Sequence, residues 1–317
     1  MADPRSDAAT ADRFDVARFF DRATDGAAAS EPPPLPTPTP PPKQKKRKDP
    51  KPPPPPKKAL KVLVLHGWGQ DGELGRKVLR RLTEKLRKQN VHLSFATAPH
   101  KLPLTSEVEV EGGQKVAVSN FPPDRTNPRA WFLYGDGGGS SGGGGGSNDD
   151  DATVPEDFLT APRPYRGIDA SLESLRDEWR QSGPFDGVLG FSQGAAVAHL
   201  LAAVAVAEKT EQKKNNTEQE AESLLSTFRS LEFAVFAGGF PSRMASPPVA
   251  MGARDAPLLL PTLHFIASDD AYVPPPLQEE LKGRFRAPTT HRHDKGHTIP
   301  QRAGDTAAMV EFFGGFQ

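Results

Sequence analysis

Phe185-Asp186-Gly187-Val188-Leu189-Gly190-Phe191-Ser192-Gln193-Gly194-Ala195-Ala196-Val197-Ala198 is the stretch whose reading decides the fold. An apolar run from Phe185 to Leu189 meets Gly-x-Ser-x-Gly, and a small-residue run from Ala195 to Ala207 follows. The pattern predicts a buried strand, a tight turn and a helix. Helix and strand pack closely at such a turn, and glycines two before and two after the serine leave the room that side chains would fill. The serine hydroxyl is then exposed on the turn, and the helix N-terminus directs backbone N–H groups toward incoming negative charge. Five residues of this kind recur by chance, so the flanking strand and helix give the motif its weight.

The same rhythm extends in both directions. Lys61 to Leu65 is a continuous apolar run of the sort buried in parallel sheets. Leu74 to Lys88 follows as a helix, with Val78, Leu79, Leu82 and Leu86 at helical spacing. Val91 to Ala98 reads as a second strand, and residues 101 to 134 as irregular chain holding the apolar pair Trp131-Phe132. Ile168, Leu172, Leu175 and Trp179 mark a further amphipathic helix. Beyond the serine come strands at Phe233 to Ala237 and Leu263 to Ala267, a helix from Leu277 to Phe285, a short strand at Pro288 to Arg292, and a helix from Asp305 to Phe313. Strands alternating with helices predict an α/β domain with a mainly parallel sheet covered on both faces. Ligands in such sheets bind at the carboxyl ends of the strands.

Composition bounds the rest. The chain has 317 residues, with Pro 34 and Gly 29 concentrated in low-complexity runs. Residues 1–58 read as a disordered arm with polyproline segments at Pro32 to Pro42 and Pro52 to Pro56 and a basic run, Lys43 to Lys48, between them. The arm could engage SH3 or WW modules through its Pro-x-x-Pro repeats, or an import receptor through the basic run. Residues 59–317 read as one domain with low-complexity insertions at about 136–153 and 208–222. A formal net charge of +0 gives no general attraction to nucleic acid. With Cys 0, disulfides, a thiol nucleophile and thiolate metal sites are excluded. The N-terminus is polar and acidic, unlike a secretory or transit signal, and no apolar run reaches the length of a membrane span. A cytoplasmic location, with entry to the nucleus through the basic run, is the expectation.

A serine hydroxyl needs a base within hydrogen-bond reach, and the base needs an orienting acid. Folds of this type supply them in the order Ser, Asp or Glu, His. Here Ser268-Asp269-Asp270 follows the strand ending at Ala267, and Gly296-His297 precedes the last helix. Either aspartate could face the histidine, the other capping the loop. His264, inside a strand, reads as structural. His199, one turn into the helix after Ser192, points away from the hydroxyl. His291 and His293 lie beside the preceding strand, and without a second ligand cluster the three histidines of 291–297 do not argue for a metal. An oxyanion would be held by the N–H of Gln193 and one from the loop His66-Gly67-Trp68. That loop also spells Gly67-Trp68-Gly69-Gln70-Asp71-Gly72. A dinucleotide reading of it wants an acid at the end of the next strand, where His92 to Ala98 has none, and Trp68 obstructs approach to a pyrophosphate. No cofactor is expected.

Leu65-His66-Gly67-Trp68, Ala98-Pro99-His100, Arg129-Ala130-Trp131-Phe132, Gly183-Pro184-Phe185-Asp186-Gly187, the Ser192 motif, Ala237-Gly238-Gly239-Phe240, Asp270 to Pro274 and Gly296-His297-Thr298-Ile299-Pro300 occur in one order. Together they resemble the FSH serine hydrolases, from about residue 60 to the C-terminus. The resemblance implies the α/β-hydrolase fold, Ser192 as nucleophile, His297 as base and Asp270 as the acid, since the family's acid stands four residues before the proline matching Pro274. It implies a small acyl ester or thioester as substrate, cleaved through an acyl-enzyme, with Trp68 and Gln193 as the oxyanion N–H donors. His66, Trp131 and Phe240 become candidates for the walls of the substrate pocket. Ser268-Asp269 departs from the family's Glu-Thr. The nearest alternative is the acyl-protein thioesterase/carboxylesterase group, which shares Gly-Phe-Ser-Gln-Gly. An alternative of another class is a non-catalytic scaffold presenting its proline and basic arms.

Overall fold

The computed structural model describes residues 57–110, 114–134, 159–215, 227–253 and 255–317. The proline-rich and basic arm, the Gly/Ser tract and the end of the charged insertion (216–222) lie outside the described residues.

Six strands form one sheet: β1 (Leu60–Leu65), β2 (Val91–Phe95), β9 (Gly187–Phe191), β10 (Phe233–Ala237), β11 (Thr262–Ala267) and β12 (Pro288–His293), in the order β12-β11-β10-β9-β1-β2. Every neighbouring pair is parallel, with Leu65 opposite Gly190 and Ala237 opposite Phe191. The parallel α/β expectation is met. β1, β9, β10 and β11 bury nearly every residue, as strands covered on both faces must. Along β1, Leu63 and Leu65 point into one core and Leu60, Val62 and Val64 into the other. Each of these side chains is at most 3 % exposed, and burying one contributes about 1.5–3 kcal/mol.

Two long helices lie on one face, beside the shorter α5 (Pro275–Lys282), whose Leu277 and Leu281 join the same core. The long helices are α3 (Ile168–Ser182), which buries Ile168, Leu175 and Trp179, and α4 (Gln193–Asn215), in which Ala195 to Ala205 form an almost unbroken buried run. Small side chains let α4 approach β9 closely. The helix runs on past Ala207, so residues 208–215 are a helical extension, with Glu208 buried at its start. On the other face lie α1 (Gly72–Val78), α2 (Arg80–Arg87) and α6 (Ala303–Gly314). The single helix expected over 74–88 is thus two. Leu79 leaves helical geometry at φ −92° and ψ 11°, and the axis turns there. Leu79, Leu82 and Leu86 stay in the core while Val78 swings out to 53 % exposure. α5 (Pro275–Lys282) starts at two prolines, whose missing N–H groups cost nothing in a first helical turn.

Residues 101–134 are more ordered than expected. Short strand β3 (His100–Lys101) pairs with β6 (Arg129–Ala130), and between them stands an antiparallel hairpin, β4 (Thr105–Val110) and β5 (Gln114–Ser119). β7 (Leu133–Tyr134) pairs with β8 (Tyr165–Arg166). No helix among the described residues is long and apolar enough to cross a membrane.

Candidate active site

The chain reverses its direction of winding between β1 and β9, where β2 leaves on one side and β9 to β12 on the other. Loops diverge at the carboxyl ends of strands flanking such a point and open a crevice. The loop after β1 carries His66 to Gln70, and the turn after β9 carries Ser192.

Ser192 has φ +52°, a left-handed conformation that costs a non-glycine residue on the order of 1–3 kcal/mol and persists only where its surroundings enforce it. The enforcement is visible. Ser192 N donates to Ala237 O at 3.2 Å, and Ala195 N to Ser192 O at 2.9 Å. A Cβ on Gly194 would come within 2.3 Å of Leu65 O, and one on Gly190 within 2.6 Å of the Ala195 Cα. Gly67 also stands against the serine: a Cβ there would lie 3.2 Å from the Ser192 Cβ.

His297 arrives on the loop between β12 and α6. Its Nδ1 lies 2.8 Å from Asp270 Oδ2, in a pair whose carboxylate is fully shielded from solvent. A carboxylate only accepts, so Nδ1 carries the proton and donates, which leaves the Nε2 lone pair for other work. The ring lies between Phe191, at 4.8 Å between centroids, and Tyr272, at 5.3 Å. Phe191 is the residue before Ser192, so the imidazole sits beside the turn. Gly238, at φ +51°, backs it: a Cβ there would strike His297 Nδ1 at 2.8 Å.

Asp270 is held from three directions. Its Oδ1 accepts from Tyr272 N (2.9 Å) and Val273 N (2.8 Å), and its Oδ2 from Gln278 Nε2 (3.3 Å) as well as from His297. Gln278 is fixed in turn by Val273 O and Ala267 N. Asp269 has another partner: its Oδ1 accepts from Gly296 N at 2.9 Å and so closes the loop just before His297. The two aspartates that the residues alone left open therefore have separate partners.

Among the described residues, neither the Trp68 N–H nor the Gln193 N–H has an acceptor. Trp68 is half-buried and its ring faces Tyr134 at 5.5 Å. The three pocket-wall candidates stand behind this surface: His66 is 4 %, Trp131 0 % and Phe240 2 % exposed. His66 acts as a strut. Its Nε2 accepts from Ala98 N at 3.1 Å, which places the proton on Nδ1, 2.8 Å from Gly67 O. Burial pushes its pKa down to about 4. His199 and His264 are likewise held neutral by burial, each near pKa 3. His199 bonds Met251 O and Ser242 N, and His264 bonds Thr262 Oγ1. His291 pairs with Asp305 at 2.8 Å, and no cluster of metal-ligating side chains forms among the described residues.

The sequence reading missed what the Gln193 side chain does. Its Oε1 accepts from Trp131 N at 2.8 Å and its Nε2 donates to Phe132 O at 2.8 Å. Gln278 was missed too, and Gly238 was quoted within a motif without its place against His297. A buried glutamine beside two core leucines of one helix was the available signal for Gln278. A pair of glycines directly after a buried strand was the signal for Gly238.

The profile of the serine hydrolase (FSH1) family matches residues 56–309. The chain is 29 % identical over 254 residues to the esterase CG5412 of Drosophila melanogaster, covering 80 % of this chain and 73 % of that one. It is 28 % identical over 264 residues to the esterase OVCA2 of Homo sapiens, covering 82 % and 98 %. Among solved structures, the acyl-protein thioesterase 2 of Zea mays is 18 % identical with a TM-score of 0.42, covering 80 % of this chain and 92 % of that one.

Proposed function

The chain belongs to the FSH1 serine hydrolases and hydrolyses esters, and from that premise we propose that Ser192, His297 and Asp270 carry the reaction through an acyl-enzyme. His297 Nε2 takes the proton of the Ser192 hydroxyl as Oγ bonds to the carbonyl carbon of an ester or thioester. The carbonyl oxygen becomes an oxyanion, held by the N–H groups of Trp68 and Gln193. Collapse expels the alcohol or thiol, which leaves with the proton from His297. Water repeats the sequence on the acyl-enzyme and releases the carboxylic acid. Asp270 keeps Nδ1 protonated and stabilises the imidazolium formed at each proton transfer.

One observation carries the reading: an imidazole bonded at 2.8 Å to a buried carboxylate lies against the residue preceding a serine held at φ +52°. The Gln193 N–H next to that serine and the Trp68 N–H on the loop after β1 have no acceptor among the described residues, as donors kept for developing charge require. A non-catalytic scaffold has no use for a strained serine backed by an imidazole bonded to a shielded carboxylate.

A fluorophosphonate probe tests the assignment. The wild-type chain becomes labelled at Ser192 and Ser192→Ala does not; equal labelling of both overturns it. Turnover of p-nitrophenyl esters from acetyl to palmitoyl, and of the matching thioesters, then defines the acyl group and the leaving atom preferred.

A further inference from the structure

The two oxyanion donors of the proposed reaction stand on separate elements, Trp68 on the loop after β1 and Gln193 at the start of α4. An oxyanion hole works only when both donors lie 2.7–3.1 Å from the developing charge, so their spacing matters as much as their presence. The ladder between β1 and β9 ends at Leu65 and Gly190, before either donor. Beyond the ladder the loop and the turn pack at Gly67 and Gly194, and one residue hydrogen-bonds to both. Trp131 donates its indole N–H to His66 O at 2.9 Å, two residues before Trp68. It donates its backbone N–H to Gln193 Oε1 at 2.8 Å, on the second donor residue itself. The other end of the Gln193 amide holds Phe132 O at 2.8 Å. Ser171 Oγ, from α3, donates to Trp131 O from behind. Trp131 and Phe132 are 0 % and Gln193 is 1 % exposed, so no solvent molecule replaces a lost bond.

We propose that Trp131 and the Gln193 side chain form a brace that sets the width of the oxyanion hole, making them positioning residues for the transition state. The inference rests on the reading of Trp68 and Gln193 as oxyanion donors. It assigns Trp131 to spacing rather than to contact with substrate. A brace of this kind acts where charge develops, so loosening it lowers kcat and leaves ground-state binding alone.

Trp131→Phe removes one bond and keeps an aromatic ring; Gln193→Met removes the amide's bonds to Trp131 N and Phe132 O, together with its bond to the Tyr134 side chain, and keeps the length of the side chain. Each variant is titrated with a fluorophosphonate, and rates are expressed per titrated serine, so that unfolded protein drops out. kcat for a p-nitrophenyl ester should fall about 10-fold in each variant, below the full loss of a donor, with KM within about two-fold of wild type. The Ki of a trifluoromethyl ketone, whose adduct places an oxyanion in the hole, should rise by the factor by which kcat/KM falls. The Ki of the matching methyl ketone should stay constant. The double variant should lose little more than either single one, because both cut the same brace. Wild-type kcat per titrated serine, or a methyl ketone Ki that rises as far as the trifluoromethyl ketone Ki, overturns the proposal. If neither variant folds, Ser171→Ala, which frees only the Trp131 carbonyl, carries the test with a kcat loss of about three-fold, and no loss overturns it. Failure of the acyl-transfer reading looks different, because Ser192→Ala then keeps wild-type turnover.

Discussion

The two sides of the proposed site, around Ser192 and around His297, are held by opposite means. Around Ser192 the fixing agent is missing bulk: Gly67, Gly190 and Gly194 let three pieces of backbone touch. Around His297 it is hydrogen bonding: one shielded carboxylate accepts from two backbone N–H groups, an amide and the imidazole. A side fixed by bulk fails as shape and takes stability with it. A side fixed by bonds to a charge fails as chemistry and leaves the fold standing.

Substitutions can break this contrast. His297→Ala should lower kcat/KM by on the order of 10⁵–10⁶-fold while the melting temperature moves by no more than a few degrees. A collapse of the fold in that variant would erase the distinction. Asp270→Asn keeps the side-chain shape and should cost about 10⁴-fold in kcat, because the imidazole loses the partner that fixes its tautomer. Steady-state kinetics on a p-nitrophenyl ester reads both. Gly194→Ala should invert the pattern, since its Cβ meets Leu65 O at 2.3 Å. About 3–5 kcal/mol of stability should be lost in urea denaturation, with near-normal turnover in whatever fraction folds.

The smallest effect sharpens the comparison through pH. His66 braces the nucleophile side as a neutral ring with pKa lowered by burial to about 4. Its unfolded value is near 6.5, so below that pH the unfolded chain takes up a proton that the folded chain refuses. The contribution is present in full above about pH 6.5 and is lost as pH falls toward 4, reaching about 2 kcal/mol by pH 5. Denaturation midpoints at pH 7 and pH 5 should show this slope, and His66→Asn should flatten it by about one proton's worth. An unchanged slope would remove His66 from the struts.

The framework was readable because it rests on runs of one character. Apolar stretches at 61–65, 233–237 and 263–267 can only be buried strands, and the order Ser192, Asp270, His297 followed from the order of those strands. The hairpin at 105–119 was not readable in the same way. Its valines alternate with glutamates, a lysine, an alanine and a serine, and Val116 and Val118 remain exposed, so burial does not mark it. Residue type also fails to report direction. Trp131 and His66 read as pocket walls from their chemistry and place, yet the indole N–H and both imidazole nitrogens are spent on neighbouring backbone. Asp269 and Asp270 stand side by side in the sequence, and only the fold separates a loop closure from a partner for the imidazole.

Strand order also sets the time at which the site comes together on a growing chain. β1 is made first, but the partner that completes its ladder begins at Gly187, and the imidazole follows the serine by 105 residues. At ribosomal speeds of about 5–20 residues per second, the serine exists for roughly 5–20 s before its base has been synthesised. During that interval the nascent polypeptide carries the Ser192 hydroxyl without the imidazole proposed to take its proton. Competence for the proposed reaction comes late in translation, once His297 has been made.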